Sequence, residues 1–231
     1  MNAAIAALLF SSLTSHVSAA PGLVEASAKS HQFKIEGKLA SSHHTSASTV
    51  EKHALGFIDC TANQQRLIKE AATGSNAMIA NANSYLANPT SNKHKHRYTT
   101  WFGEFSNLRY KNVVSNFKNM ENKATSLTYD CKACLTRVDK PYDKLSAYVN
   151  NGEYLMKINV CGAFWRAPTI GAYSKAGIIV HELSHFHEHG GTMDHAYGTK
   201  EARALAVEVP WFAVMNADNY KYFAENKPTL S

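Results

Sequence analysis

The chain has 231 residues, of which 45% are hydrophobic, enough for one domain with a substantial core. Its net charge of +6 is modest and spread along the chain, which argues against a nucleic-acid partner and fits solubility or a preference in substrate. After the first segment there is no run of about eighteen apolar residues, so no membrane span is expected.

Residues 1–20 carry no Lys, Arg, Asp or Glu, and an apolar run over 3–10 is followed by small residues ending Val17-Ser18-Ala19-Ala20-Pro21. This pattern predicts a secretory signal peptide over 1–20, cut near Ala19 or Ala20, and a secreted, extracellular product. Residues 21–53 are rich in Ser, Ala, His and Lys, with one alternating stretch at 31–39 that predicts a strand. They read as a short, weakly ordered pro-segment that is eventually removed, with the mature start between Ser48 and Gly56. The remainder, 54–231, reads as one domain. Its four cysteines, Cys60, Cys131, Cys134 and Cys161, are even in number and suit an oxidising compartment. A metal site on the cysteines is the rival reading, but Cys131 and Cys134 form the single C-x-x-C pair, so disulfides are expected. Spacing alone leaves all three pairings open.

Thr61 and Gln64 form a capping-box pair ahead of Ile68, Ala71, Ala72, Met78, Ile79, Ala82, Tyr85 and Leu86. Spacings of three and four predict a helix that Asn88-Pro89 ends and Gly74 bends. A basic loop over 93–97 leads into Tyr98, Trp101, Phe102 and Phe105, whose helical spacing predicts core packing, then into a second helix through Tyr110, Val113, Val114, Phe117 and Met120. From 126 to 160 the pattern turns to short strands at 127–129, 145–149 and 154–160, the last two joined by the hairpin signal Asn150-Asn151-Gly152. Met156, Ile158 and Val160 are expected to face the next helix, with Leu155, Lys157 and Asn159 outward. That next helix opens at Ser174, carries Ile178, Ile179, Val180, Leu183 and Phe186, and stops at Gly190-Gly191. Thr199 is expected to cap a helix through Ala202, Leu205, Ala206 and Val209, stopped by Pro210, and a last helix covers 211–225. The fold class is therefore α+β: one helix-rich domain with a small β-sheet.

The helix after Ser174 carries His181-Glu182-Leu183-Ser184-His185. His181 and His185 lie one turn apart on the same face and can pinch one metal ion, while Glu182 beside the first can take a proton from solvent held there. A catalytic zinc site uses three protein ligands and leaves a fourth position open. His189 would lie roughly 12 Å along the helix axis from His181, too far to share one ion. Glu201 and Glu208 on the following helix stay open as third ligands, and Asp194, after the diglycine reversal, is the better placed. His187, His189 and His195 are expected to be solvated or to lie behind the ligands.

The segment Gly191-Thr192-Met193-Asp194-His195-Ala196-Tyr197-Gly198 matches a G-T-x-D-x-x-Y-G signature and resembles the aspzincins, the deuterolysin family of zinc endopeptidases. Arg97-Tyr98-Thr99-Thr100-Trp101-Phe102-Gly103, the stretch 161–168 and the stretch 213–219 are similar to its peptidyl-Lys metalloendopeptidase branch, and the similarity runs from about Gly56 onward. The resemblance implies a zincin-like domain with one Zn2+ per chain held by His181, His185 and Asp194. It implies Glu182 as general base and Tyr197 as the hydroxyl that stabilises the oxyanion. It implies a monomer made as a zymogen that hydrolyses proteins or peptides. It favours Cys60 with Cys131 and Cys134 with Cys161. The strand at 154–160, or the Gly162-Ala163-Phe164 backbone, is expected to edge the cleft and pair with extended substrate.

In the lysine-cleaving branch two acids on the last helix bind the substrate ammonium; the first corresponds to Asp218, and the second position holds Lys221. Residues three apart on a helix are neighbours, so strict lysine specificity is expected to be lost or relaxed, and Lys221→Glu to increase cleavage before lysine. The alternative is a catalytically weak secreted zinc-binding protein that acts by attachment or inhibition, which would need neither Glu182 nor Tyr197.

Overall fold

In the computed structural model, which describes residues 54–88, 96–150 and 156–230, helix α1 (Ala62–Leu86) is opened by the expected capping box. Thr61 Oγ1 accepts from the Gln64 N–H at 3.3 Å, and Gln64 Oε1 accepts from the Thr61 N–H at 2.8 Å. The predicted signal, the 21–53 segment with its strand, and Asn151-Gly152 of the hairpin turn lie outside the described residues. Helix α1 runs through Gly74 without a break. A Cβ at Gly74 would meet Ile170 Cγ2 at 2.8 Å and Ala176 Cβ at 3.3 Å, so the glycine admits the close approach of a neighbouring segment.

Helices α2 (His96–Phe102) and α3 (Asn107–Asn119) bring the aromatic cluster inside, as expected. Tyr98, Trp101 and Phe102 are buried, and Phe102 and Phe117 both pack on Phe223 near the C-terminus, at centroid separations of 5.3 and 5.2 Å. Such ring pairs add to the area that they bury and fasten α2 and α3 to the last helix.

The sheet has the order β1-β2-β4-β3, with β1 (Gly56–Ile58), β2 (Thr128–Asp130), β3 (Ala147–Tyr148) and β4 (Lys157–Val160). The β1–β2 and β2–β4 pairs are parallel and β3–β4 is antiparallel. Two outcomes differ from expectation. Strand β4 is paired on both sides, and Asn159, expected to face out, is fully buried and donates from Nδ2 to the Tyr148 carbonyl at 3.3 Å. The edge is β3. Disulfides Cys60–Cys131 and Cys134–Cys161, the pairing that the resemblance favours, tie the sheet to its flanks, and no described cysteine is free. The first spans 71 positions in sequence, which in the chain-entropy model contributes about 4 kcal/mol.

The C-terminal half supplies α4 (Gly162–Arg166), α5 (Lys175–His185), α6 (Thr199–Glu208), α7 (Pro210–Val214) and α8 (Ala217–Glu225). Helix α5 packs against α1 and α8. It stops at His185, earlier than the diglycine, because Phe186 turns extended and its carbonyl accepts the N–H groups of His189, Gly190 and Gly191. Gly198, at φ 88°, precedes α6 in place of the expected Thr199, a conformation that suits glycine. The single helix expected over 211–225 is two, broken at Met215-Asn216. The described residues thus form a helix-rich α+β fold with a small mixed sheet, and no described helix is long and apolar enough to cross a membrane.

Candidate metal centre and active site

Helix α5 is buried along Lys175–Ser184, and its start is fixed from two directions. Ser174 Oγ accepts from the Gly177 N–H at 3.0 Å, the expected N-cap. Glu225, on α8, accepts from the Ser174 N–H at 2.9 Å and the Tyr173 N–H at 3.0 Å. A carboxylate at a helix N-terminus satisfies orphan donors and complements the dipole. Gly177 makes room for it, since a Cβ there would sit 2.0 Å from Glu225 Oε1.

One face of α5 presents His181 and His185, with ring centroids 4.8 Å apart. Beyond the turn the chain folds back. Thr192 is hydrogen bonded to Ser184 through its N–H (3.0 Å, to the Ser184 carbonyl) and its hydroxyl (2.7 Å, to Ser184 Oγ). Met193 bridges to Asn216 in parallel fashion, and Asn216 Oδ1 accepts from the N–H groups of His195 and Ala196 at 2.8 and 3.0 Å. The break between α7 and α8 thus frees Asn216 to hold the loop on which Asp194 sits.

Asp194 Oδ1 lies 3.1 Å from His181 Nε2 and 3.5 Å from His185 Nε2. The donor atoms of His181, His185 and Asp194 all fall within 4.8 Å of one another. The other nitrogen of each ring is occupied: His181 Nδ1 lies 2.8 Å from Asp218 Oδ1, and His185 Nδ1 lies 2.8 Å from the Thr192 carbonyl. With acceptors on both Nδ1 atoms, the Nδ1–H tautomers leave both Nε2 lone pairs pointing at one spot, which is the arrangement metal-binding histidines take. Two imidazoles and a carboxylate with an open approach fit zinc.

Charge at this spot is tightly coupled. Burial opposes a charge on His181, yet the Asp194 and Asp218 carboxylates outweigh it and raise its pKa to about 10. Burial likewise opposes ionisation of Asp194, but hydrogen bonds from His181 and His185 hold it far below the usual carboxylate range. Glu182, 4% exposed, is pushed up by burial, against the pull of both histidines. The Tyr197 ring stacks on His181 at 6.4 Å, and its hydroxyl, pushed up by burial, hydrogen bonds to Asp194.

These groups open onto a cleft of ≈ 540 Å³ that is also lined by Ser146, by Ala147 and Tyr148 of β3, and by Lys221. Asp218 lines it too, with Oδ1 beside His181 and Oδ2 accepting from the Gly198 N–H at 2.8 Å. Glu201 and Glu208 are exposed and do not join the cluster. His187 and His195 are exposed, His195 lying on Phe212, while His189 is buried with Nδ1 3.1 Å from the Leu183 carbonyl. Sequence reasoning missed Thr192, Asn216 and Glu225 as supports. The Asn216-Ala217-Asp218-Asn219 run carried a signal by its similarity alone.

Comparison with known proteins agrees with this geometry. The model of a family described as lysine-specific metallo-endopeptidase, Aspzincin_M35, matches residues 86–225. A peptidyl-Lys metalloendopeptidase from Pleurotus ostreatus is 41% identical over 176 residues, covering 76% of this chain and 99% of that protein. A second, from Grifola frondosa, is 37% identical over 91% of this chain, a match that spans 57% of that protein's length. The solved zinc peptidase from Grifola frondosa superposes with a TM-score of 0.67 at 39% identity, covering 74% of this chain and all of that one. The chain belongs to the aspzincin family of metalloendopeptidases.

Proposed function

We propose that the protein is a secreted endopeptidase that holds one zinc ion on His181, His185 and Asp194 and hydrolyses peptide bonds with Glu182 as general base. The observation that carries this is the convergence of three donor atoms within 4.8 Å, beside a buried carboxylate and an exposed phenol. Zinc held by His181, His185 and Asp194 would supply Lewis acidity at the open approach, so that solvent there could lose a proton near neutral pH. Glu182, whose carboxyl burial has made more basic, accepts the proton and later delivers it to the leaving amine nitrogen. Tyr197 donates its hydroxyl hydrogen to the carbonyl oxygen as negative charge builds there. Asp218 and the Thr192 carbonyl hold the two imidazoles in orientation and take no part in bond making.

The free edge of β3 beside the cleft supports binding of substrate as an added strand, a role expected earlier of β4 or the 162–164 backbone. Secretion rests on the apolar leader at 1–20 and on two disulfides, which suit an oxidising compartment. On this reading 21–53 is removed and 54–231 acts alone as the catalytic monomer on protein or peptide substrates. Strict lysine specificity is relaxed, because Lys221 lies 3.7 Å from Asp218 and lines the cleft. Casein hydrolysis by the purified protein is expected to stop with chelator and return with zinc. Glu182→Gln is expected to keep its zinc while turnover falls by about 10²–10⁴-fold; a variant that cleaves normally would remove Glu182 from the mechanism.

A further inference from the structure

Four cations line the same cleft as the metal centre. Arg137, Lys140 and Lys144 come from the stretch before β3, and Lys221 comes from α8. The acids lining it are Glu182, Asp194 and Asp218, and each is engaged at the centre itself. Asp194 faces both histidines, Asp218 serves His181 and Gly198, and Glu182 is buried beside them. What remains for the side chains of a bound peptide is a wall with positive charge in excess. Arg137 pairs with the exposed Asp139 outside the cleft lining, whereas the Lys140 and Lys144 ammonium groups have no ion-pair partner among the described residues.

Lys221 is the innermost of the four. Its side chain is 13% exposed, and its Nζ lies 3.7 Å from Asp218 Oδ1, beyond hydrogen-bond range, and 4.8 Å from the Tyr222 ring centroid. Among the described residues its N–H donors have no hydrogen-bond acceptor. The Asp218 oxygen nearest it is shared with His181, and the other is taken by Gly198. An enclosed ammonium whose ion-pair partner, Asp218, is shared with His181 and Gly198 gains from a further anion, because little water remains to screen the pair. Its position one helical turn from the residue that braces His181 puts that gain next to the scissile bond. A substrate lysine there would meet like charge.

Taking the peptidase reading as given, we propose that the cleft selects acidic peptides: Lys221 binds an Asp or Glu side chain of the residue flanking the cut bond, and Arg137, Lys140 and Lys144 draw the acidic chain in. The test uses zinc-loaded protein on peptides identical except for Glu, Gln or Lys beside the scissile bond, together with a digest of denatured proteins, with cut sites mapped by mass spectrometry. Expected is a kcat/KM for Glu over Lys of about tenfold or more, shrinking as salt rises from about 0.05 to 0.5 M. Lys221→Gln should bring the Glu/Lys ratio close to one and Lys221→Glu should invert it, whereas a merely structural role would lower all substrates alike and leave the ratio unmoved. Chelator-sensitive cleavage that favours Lys or ignores charge overturns the inference and leaves the peptidase reading standing. Absence of chelator-sensitive cleavage across both sets overturns the two together.

Discussion

Asp218 decides how firmly one side of the candidate centre is held. Its carboxylate fixes the His181 ring through Nδ1 at 2.8 Å and is itself braced by the Gly198 N–H. Asp218→Asn keeps the shape but removes the charge-assisted bond, so zinc affinity is expected to fall by about 10–100-fold, read by competition with a chelating dye. Unchanged affinity would show that His181 needs no such brace. At this scale much of the site was legible. His181, Glu182 and His185 announce themselves by local spacing, and Asp194 with Tyr197 by a short signature that resembles a known family. The braces were not legible. Thr192 acts through its backbone carbonyl, which no side-chain pattern encodes, and Asn216 and Glu225 act across 20 to 51 positions of sequence.

Helix α5 depends on a contact in which a hydrogen atom is all that fits. A methyl at Gly177 would meet Glu225 Oε1 at 2.0 Å, so Gly177→Ala must expel the carboxylate that accepts from the Tyr173 and Ser174 N–H groups. We expect a loss of about 1–3 kcal/mol in denaturant unfolding, together with weaker zinc retention because the ligand helix loses its anchored start. Wild-type stability in that variant would mean that Glu225 swings aside at little cost. Helices α1, α3, α5 and α6 were readable from apolar spacing, whereas α2 starts at His96, inside the stretch expected to be a basic loop. The break at Met215-Asn216 was not readable, since neither residue is a Gly or Pro; Asn216 leaves the helical path because its side chain and backbone tie down the Asp194 loop. Strand β1 has three residues, too few to show alternation.

Metal, protons and stability are linked across the whole molecule. In the metal-free chain the carboxylates of Asp194 and Asp218 raise the His181 pKa to about 10 from its ordinary 6.5. The stabilisation from that shift is complete below pH 6.5 and disappears as pH climbs through about 10. Zinc needs Nε2 without its proton, so uptake at pH 8 is expected to release protons, and affinity to weaken as pH falls. Calorimetric titrations in two buffers of different ionisation enthalpy check this; equal apparent enthalpies would mean that no proton leaves. At free zinc about 100 times Kd, binding should add about 2.7 kcal/mol and raise Tm by about 5–10 °C.

The supports of the centre come late in the chain. The proposed ligands are at 181, 185 and 194, but the residues that hold their side chains and loop in place are Asn216 and Asp218, and the clasp on helix α5 is Glu225. Synthesis delivers the N-terminal part first. A nascent chain that has emerged only as far as its histidine helix therefore carries the candidate site residues without the groups that hold them in place. On the proposed reading activity waits for α8, when the reactive groups and their keepers first share one folded body.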